Sequence, residues 1–561
     1  MWRSLTAAAG MAALMARGGA AQAQAPDTAR LRREVPELLR VSGVPGLSLA
    51  LVRGGEVVWS AAFGTVNDST GRPLEPGTVF EAASLSKPVF AYLVLRLADR
   101  GEFDLDRPLL DLLEYPRLAR DPRARKITAR IVLAHATGLP NWGGDTLRLR
   151  FDPGTDYGYS GEGFLFLQKA LERTTGLSLD ALARREVFRP LGMTHSSYVW
   201  QPRFSGAAAW ATDWLWRVAP VNRYADGNAA ASLVTTAGDY ARFVAAVLTG
   251  RGLSAGIWRE FLAPVRETEP GIHIALGIRV EEGPSSRRFF HSGSNGRRFT
   301  CYMSGDLATG IGLVFFTGAY DGTTLVRPIA SSVFGESHPS RHWEWFDRYD
   351  DPRRLAFKSV QRAAVERGAD AARERLRIVQ ASPPTRLSFD DILELGAFLS
   401  GRGLDPLAIE VLQAAVADSP DSAAAHLALG EALESAGDLE RAIESYRRAS
   451  ALDGGGEAGR HLRWAGERVA ARARRVAIPT PTLASYTGDY RERTVVLRDG
   501  RLHYGGGAAP ESPLVPMGAD LFELEKDPSV RVRFVGDGAR SAPELVAIYR
   551  DGSVDRWLRA R

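Results

Sequence analysis

The sequence predicts three consecutive parts with different folds: an α+β domain, a set of packed helices and a small all-β domain. Residues 27–341 mix strand and helix patterns, and their late segments are typical of successive strands in one antiparallel sheet. Residues 342–476 are rich in arginine and alanine and have helical periodicity, whereas residues 477–561 alternate with period two. We therefore expect an α+β domain with a split sheet and flanking helices, followed by two further domains.

The first part begins with a hairpin and ends with a run of strands. The segment GLSLALVRGGEVVWSAAFG alternates apolar and polar positions around Gly54-Gly55, which predicts a β-hairpin. A helix is expected from Ser84 to Arg100. The later segments IHIALGIRV, RRFFHSGS, FTCYMS and GIGLVFFTG predict successive strands of the sheet.

The second part contains an internal repeat. The positions Leu395-Gly396, Gly403, Ala408, Leu412 and Ala415 recur 34 residues later as Leu429-Gly430, Gly437, Ala442, Tyr446 and Ala449. Small residues let paired helices pack closely, and this region resembles tetratricopeptide repeats, whose period is the same. A plain helical bundle is the alternative. The repeats are expected to pack or to dock a short peptide, so a protein partner bound through them is one expectation.

The third part has the pattern of a small β domain. Its segments TVVLRDGRLHY, ADLFELE, VRVRFVG and ELVAIYRDGSVDRWLRA alternate apolar and polar residues. Asp499-Gly500 and Asp551-Gly552 are typical of tight hairpin turns between such strands.

The composition narrows the range of partners and cofactors. The chain of 561 residues is 45% hydrophobic and 24% charged, and its formal net charge is only +5. Its basic residues are spread along the sequence rather than clustered, so we expect no nucleic-acid partner. The nine histidines lack the paired spacing of zinc ligands. One cysteine, Cys301, can form neither an internal disulfide nor a cysteine metal cluster, and we expect it to be a small buried residue. No metal and no other cofactor is expected.

The N-terminus predicts export. Residues 1–25 have an early Arg3, an alanine-rich apolar stretch and a cleavage-like end at Ala21-Gln22-Ala23 or Ala23-Gln24-Ala25, as a secretory signal peptide does. An unstructured N-terminus is the alternative. No other stretch approaches the ~20 apolar residues of a membrane span, so the mature protein is expected in the periplasm or outside the cell.

A serine and a lysine stand three residues apart at the start of the first long helical pattern, FEAASLSKPVFAYLVLRL. Residues i and i+3 share a face of a helix, so Ser84 and Lys87 are expected side by side, which is the geometry of an activated serine. Lys87 is the only lysine of the chain with a serine at that spacing. The alternative is a buried helix start whose lysine extends to solvent.

Two later segments offer partners for an activated serine. Tyr159 lies in a Gly- and Ser-rich turn just before an apolar helix, and Tyr157 is the alternative tyrosine of the same turn. His291-Ser292-Gly293 closes a predicted strand, where small residues leave room for a substrate along the strand edge.

The ordered set of Ser-x-x-Lys, a loop tyrosine and His-Ser-Gly resembles the serine hydrolases that comprise class C β-lactamases, penicillin-binding proteins and related esterases. The resemblance covers roughly residues 27–334 and extends to the segments GVPGLSLALV, ITARIVLAHATGLPNW and ASLVTTAGDYARF. It implies a β-lactamase/transpeptidase-like fold. The all-β domain at the C-terminus is similar to the small lipocalin-like modules that follow such hydrolases.

The resemblance also implies roles for individual residues. Ser84 would form an acyl-enzyme, while Lys87 and Tyr159 would share the work of the general base, the lysine ammonium lowering the pKa of the phenol. His291 would hydrogen-bond toward Tyr159 or the substrate and titrate near neutrality. The backbone N–H groups of Ser84 and Ser294 match the oxyanion-hole positions, with Ser292 and Gly293 beside them.

Two departures from the family pattern bear on the substrate. The family's Tyr-x-Asn asparagine is Gly161 here, so the amide that would bind an acylamido group is missing. A histidine, His291, replaces the lysine of Lys-Thr-Gly, and Arg297 or Arg298 could replace its charge. Both departures favour esters or simple amides. Glu162 is expected only as an acidic residue at a helix start.

Other residues have structural interpretations. His135 is expected to be a packed loop histidine rather than a catalyst. The tryptophans of WQPRFSGAAAWATDWLWRV either line the substrate pocket, since the family has its substrate cap here, or belong to the core.

The sequence therefore predicts an exported serine hydrolase of a small-molecule or peptide ester or amide. A β-lactamase or a D-alanyl-D-alanine carboxypeptidase is an alternative of the same class. A protein of another class, a degenerate hydrolase domain that binds partners through its helical repeats, is the second alternative.

Overall fold

A computed structural model describes most of the chain. The described residues are 26–67, 71–144, 146–283, 286–296, 298–335, 340, 348–474, 476–491, 493–506, 509–536, 542–552 and 554–560. The predicted signal peptide 1–25 and the predicted boundary at 341–342 lie outside them.

The first domain is built on one antiparallel sheet. Its strands and those of two small ladders are β1 Gly46–Arg53, β2 Glu56–Gly64, β3 Phe80–Glu81, β4 Trp210–Thr212, β5 Val218–Pro220, β6 Val234–Thr235, β7 Arg266–Glu269, β8 Ile272–Ile274, β9 Arg279–Glu282, β10 Arg287–Asn295, β11 Phe299–Asp306 and β12 Ile311–Thr317. The large sheet has the order β2-β1-β12-β11-β10-β9-β8-β7, while β3 pairs with β6 and β4 with β5. The N-terminal hairpin pairs with the last strand, so the split sheet is confirmed.

Helices cover both faces of that sheet. They are α1 Thr28–Ser42, α2 Ser86–Asp99, α3 Ala129–Leu133, α4 Gly161–Thr175, α5 Leu179–Ala183, α6 Arg189–Leu191, α7 Ala237–Thr249, α8 Ala255–Phe261 and α9 Val326–Phe334. One apolar core contains α2 and α7, and a second core on the other face contains α1 and α9. Burial of nearly every side chain of α2 fixes the helix that carries Lys87.

Two sequence expectations need correction here. The helix predicted from Ser84 begins at Ser86, because Ala83–Leu85 form a separate 3-10 turn. The segment IHIALGIRV is two strands, β8 and β9, rather than one: Gly277 between them has φ 79° and donates its N–H to the carbonyl of Leu133 instead of to a neighbouring strand. A positive φ favours glycine and breaks the extended conformation.

The second domain is a row of helices, α10 Pro352–Arg367, α11 Ala369–Gln380, α12 Phe389–Gly401, α13 Asp405–Asp418, α14 Ala423–Ser435, α15 Leu439–Asp453 and α16 Glu457–Arg474. The small repeated residues act as predicted. A Cβ on Gly396 would lie 2.5 Å from Leu412 Cγ, and one on Gly430 would lie 2.5 Å from Tyr446 Cδ1. These two glycines therefore allow α12 to pack on α13 and α14 to pack on α15.

The third domain is all-β apart from the short helix α17 Thr480–Ser485. Its strands are β13 Gly488–Tyr490, β14 Arg493–Arg498, β15 Arg501–Gly506, β16 Ala509–Pro516, β17 Leu521–Leu524, β18 Val530–Val535, β19 Glu544–Tyr549 and β20 Val554–Leu558. They pair in sequence order in a curled antiparallel sheet around one apolar core. Asp499-Gly500 turns β14 into β15, as the sequence predicts.

Within the described ranges, no helix is both long enough and apolar enough to cross a bilayer.

Candidate active site

The candidate nucleophile lies on a strained turn between a strand and a helix. Strand β3 leads into the 3-10 turn Ala83–Leu85, and α2 follows directly. Ala83 has a left-handed backbone with φ 46°, a conformation that costs energy for a residue with a Cβ and persists where packing enforces it. In the stretch 78–95, all of which the structure describes, Ser84 is the one residue that is not buried. The turn therefore presents the Ser84 hydroxyl.

Lys87 is buried beside that hydroxyl. Its Nζ donates to Ser84 Oγ at 3.2 Å and to the carbonyl oxygen of Ala230 at 2.9 Å. Burial disfavours the charged ammonium and lowers the pKa of Lys87 to about 7. A large fraction of this lysine is therefore a neutral amine near neutral pH, which is the form that can accept a proton.

Tyr159 contacts the same hydroxyl from the loop before α4. Burial raises the pKa of the Tyr159 phenol to about 12, although a hydrogen bond with Ser84 and the charge of Arg279 both act to lower it. The expectation that this pKa is lowered is wrong, because burial dominates even though the lysine Nζ lies 4.7 Å from the centroid of the ring. Tyr159 is thus a neutral phenol, and Lys87 is the group whose pKa lies near neutrality.

The alternative tyrosine of this turn has a different partner. The Tyr157 hydroxyl accepts a hydrogen bond of 2.9 Å from Arg279 Nη2. The guanidinium of Arg279 is itself buried and paired with Glu269 at 3.3 Å. Of the two tyrosines, Tyr159 is therefore the one that contacts Ser84.

His135 belongs to this cluster, although the sequence interpretation gave it only a packing role. It is fully buried, and its ring stacks on that of Tyr159 with a centroid distance of 4.4 Å. Its Nδ1 accepts from the Ser160 N–H at 3.1 Å, so the neutral ring carries its proton on Nε2. Packing is confirmed, and the packing partner is the candidate catalytic phenol. The two residues are far apart in sequence, and His135 carries no motif that would have indicated this contact.

His291 lies on β10 close to Tyr159, with 6.4 Å between their ring centroids. Its Nδ1 donates to the Ser292 carbonyl oxygen at 2.7 Å, while its buried Nε2 has no hydrogen-bond partner among the described residues. Burial, followed by the charge of Lys87, lowers the pKa of His291 to about 3. The expected titration near neutrality is therefore wrong: His291 is a neutral ring whose Nε2 is a buried acceptor.

The edge of β10 passes directly beside the nucleophile turn. Within the described strands, β9 pairs with β10 only as far as Phe290, so the segment from His291 to Asn295 has an open edge on that side. A Cβ on Gly293 would lie 2.9 Å from the Ser84 nitrogen and 2.8 Å from Cys301 Sγ. Only a glycine fits between the turn and the next strand. The exposed Ser294 follows at this open edge.

Replacement of Gly293 by alanine is expected to lower the free energy of unfolding by about 1–3 kcal/mol, because the added methyl group must displace the Ser84 backbone or Cys301. The matched control is Gly505→Ala in β15, where a Cβ would meet atoms no closer than 3.7 Å. Urea unfolding of both variants gives the measurement. A Gly293→Ala protein as stable as the unaltered one would contradict the close approach.

Cys301 is buried, as expected, and donates from Sγ to the carbonyl of Ala82 at 3.1 Å. Arg298 pairs with the fully buried Glu81 at 3.4 Å, so its charge is already matched inside the protein. Arg297, the other candidate for a replacement charge, lies outside the described residues.

The structure explains why residue 161 is a glycine, and it corrects the interpretation of Glu162. A Cβ on Gly161 would lie 2.9 Å from the ring of Trp142 and 2.8 Å from the Asn141 carbonyl oxygen, so an asparagine side chain has no room here. Glu162 is more than a helix-start acid: it is buried and accepts from Arg117 at 2.6 and 2.9 Å, and it also accepts from the Gly143 N–H at 2.9 Å. It thus anchors the loop that carries Trp142.

No group of three or more histidine, cysteine, aspartate or glutamate side chains is arranged to hold a metal ion in the described parts of the chain.

Residues 31–327 match the Beta-lactamase family. The match covers more than half of the sequence. The chain belongs to the beta-lactamase family. Residues 406–457 match a tetratricopeptide repeat family, which confirms the resemblance of the helical region.

Two bacterial proteins are among the curated relatives of this chain. Esterase EstB of Burkholderia gladioli is 32% identical over 203 residues, which cover 30% of this chain and 51% of the relative. Penicillin-binding protein 4 of Amycolatopsis lactamdurans is 31% identical over 170 residues, which cover 27% of this chain and 44% of the relative. The chain thus spans about half the length of these relatives.

Among solved structures, a beta-lactamase/D-alanine carboxypeptidase from Pseudomonas syringae aligns with a TM-score of 0.48 at 17% identity, over 55% of this chain and 98% of that one. The D-alanine carboxypeptidase AmpC from Burkholderia cenocepacia aligns with a TM-score of 0.45 at 21% identity, over 52% of this chain and 93% of that one.

Proposed function

We propose that this protein is an exported serine hydrolase that forms an acyl-enzyme at Ser84 and hydrolyses an ester or a simple amide. The observation that carries the proposal is the contact of 3.2 Å between Ser84 Oγ and the buried Lys87 Nζ. A buried amine with a pKa of about 7 next to a presented hydroxyl is what a serine nucleophile requires. Esterase EstB and a D-aminopeptidase of Gluconobacter oxydans are relatives whose names support the same class.

Acylation follows from the positions of three groups. Ser84 Oγ attacks the substrate carbonyl carbon, and its proton passes to the neutral amine of Lys87, either directly or through the Tyr159 phenol. The proton is then transferred to the leaving oxygen or nitrogen as its bond to the carbonyl carbon breaks, so that an alcohol or an amine is released. Because the phenol has a pKa of about 12, Tyr159 relays a proton while Lys87 stores it.

The charge that develops on the carbonyl oxygen needs donors in place. We assign the backbone N–H groups of Ser84 and Ser294 to this role, supported by the close approach of Gly293 to the Ser84 nitrogen. Water then attacks the acyl carbon and gives a proton to the Lys87–Tyr159 pair, which returns it to Ser84. The free Nε2 of His291 is an acceptor for a substrate donor or for that water.

The surroundings of Gly161 favour substrates without an acylamido group. β-Lactams and peptidoglycan stems carry such a group, and an amide left without a hydrogen-bond partner in a closed site is disfavoured. In this protein the space beside Gly161 holds the ring of Trp142, an exposed residue. An apolar ring in that place suits an alkyl or aryl acyl group.

Turnover of a short-chain aryl ester and of a chromogenic cephalosporin by the mature protein tests the proposal. We expect kcat/KM for the ester to exceed that for the cephalosporin by about 10²-fold. The background is protein whose nucleophile has been blocked by a fluorophosphonate, and the amount of protein in the periplasmic fraction and the medium tests export.

Three results would change the assignment. Cephalosporin turnover at a comparable rate would make the protein a β-lactamase. Turnover of a D-alanyl-D-alanine peptide in place of both would make it a carboxypeptidase. No turnover and no fluorophosphonate adduct would leave a degenerate domain whose repeats do the binding.

A further inference from the structure

The tryptophan-rich hairpin β4–β5 of the first domain meets the helical repeats. Leu215, at its tip, is 5% exposed and belongs to the apolar core of the repeats. A Cβ on Gly401, the last residue of α12, would lie 2.7 Å from Leu215 Cδ2. Arg402 Nη1 donates to the Leu215 carbonyl oxygen at 3.4 Å, and the Arg362 guanidinium lies 5.7 Å from the centroid of the Trp216 ring. The hairpin tip therefore completes the core of another domain.

The tip has a fixed shape. Asp213 Oδ1 accepts from the N–H groups of Leu215 at 2.9 Å and Arg217 at 2.8 Å, and Asp213 Oδ2 accepts from Arg217 Nε at 3.0 Å. Trp216 has a φ of 58°. A bulky residue with a positive φ is strained, and such strain persists where contacts enforce it. The turn thus holds Leu215 in the orientation that the repeats receive.

The segments that flank the hairpin reach the nucleophile turn. The Val79 N–H donates to the Ala207 carbonyl oxygen at 2.9 Å, and the Ala209 N–H donates to the Val79 carbonyl oxygen at 2.9 Å. After β5, the Asn222 N–H donates to Glu81 Oε1 at 2.7 Å. Glu81 is fully buried and stands three residues before Ser84. The segments on both sides of the hairpin are therefore bonded to Val79 and Glu81, which lead into the nucleophile turn.

The other end of the repeats is also occupied from within the chain. The buried Glu434 of α14 accepts from Arg468 Nη1 at 2.9 Å and from Arg550 Nη1 of the all-β domain at 2.8 Å. Trp464 Nε1 of α16 donates to the Pro528 carbonyl oxygen at 2.8 Å. Among the described residues, the repeats thus have an intramolecular partner at each end.

We propose that the helical repeats act within their own chain as a clamp on the hairpin β4–β5. By binding Leu215 they hold the hairpin β4–β5, and through Glu81 the hairpin holds the turn that carries Ser84. The protein segment that these repeats recognise is then the tip Asp213–Arg217, and Leu215 and Gly401 are positioning residues. The catalytic consequence rests on the proposed function, whereas the mechanical coupling does not.

The test inserts a side chain where the tip binds. Gly401→Leu must expel Leu215, because a Cβ alone comes within 2.7 Å of it, whereas the control Gly466→Leu in α16 places a Cβ where nothing lies within 4 Å. Hydrogen exchange followed by mass spectrometry reports residues 209–224 and 79–87 separately. We expect exchange at least about 10-fold faster in both segments for Gly401→Leu and unchanged in Gly466→Leu.

Kinetics complete the test. With an aryl ester, we expect kcat of Gly401→Leu to fall about fivefold to tenfold with a smaller change in KM. The double variant Leu215→Ala/Gly401→Leu moves the large side chain from hairpin to helix and should restore both readouts. Faster exchange in 209–224 alone would overturn the coupling, and no change in either segment would overturn the docking. If the unaltered protein does not turn over the ester, the proposed hydrolase function is rejected. The exchange data would still test the clamp.

Discussion

Exchange of Ser84 for alanine is expected to reduce kcat for an aryl ester by about 10⁴-fold or more, because the covalent intermediate can no longer form. Within the described stretch 78–95, Ser84 is the one residue that is not buried, and its hydroxyl is the one to which Lys87 Nζ donates. The protein should remain folded, since Ser84 is partly exposed and the loss of one hydroxyl leaves no cavity in the core.

The measurement combines kinetics with intact mass after treatment with a fluorophosphonate. Unaltered protein should gain one adduct, mapped to the peptide that contains Ser84, and Ser84→Ala should gain none. Ser435→Ala, at an exposed position of the repeats, is the matched control and should retain both adduct and turnover. An adduct that persists in Ser84→Ala would move the nucleophile to another residue.

The part of this site that local spacing determines could be predicted from the sequence. Ser84 and Lys87 are three residues apart, so a helical turn brings them together, and Tyr159 and His291 were found because they stand in ordered motifs. Burial could not be predicted in this way. The pKa of Tyr159 is raised and that of His291 is lowered because packing from distant segments removes water from both side chains.

Contacts between residues that are far apart in the sequence could not be predicted either. His135 stacks on Tyr159, and Glu162 pairs with Arg117, through loops whose paths depend on the whole domain. Trp214 and Trp216, on either side of Leu215, are partly buried against an apolar core, which is the core of the repeats, whereas Trp210 is exposed. Apolar composition indicates that such a segment is buried, whereas the surface that buries it depends on tertiary packing.

Replacement of Lys87 by methionine is expected to lower kcat/KM about 10³-fold, because the proton acceptor for Ser84 is lost. Methionine is apolar and similar in length, so it suits a fully buried position, although the Ala230 carbonyl loses its donor. Unfolding temperatures of the two proteins should show that the variant is folded. Lys87→Arg is a second variant for the case in which Lys87→Met unfolds. Arginine keeps a hydrogen-bond donor but remains charged, so it cannot accept the serine proton.

The pH dependence separates Lys87 from His291. With a pKa of about 7, Lys87 is protonated at lower pH and cannot accept the serine proton, so kcat/KM should rise tenfold per pH unit below 7 and level off above it. His291, with a pKa of about 3, is neutral throughout this range, so His291→Asn should lower the rate and leave the limb near pH 7 in place. The residual activity of Lys87→Met should lack that limb. A limb that survives in Lys87→Met and disappears in His291→Asn would instead identify His291 as the base.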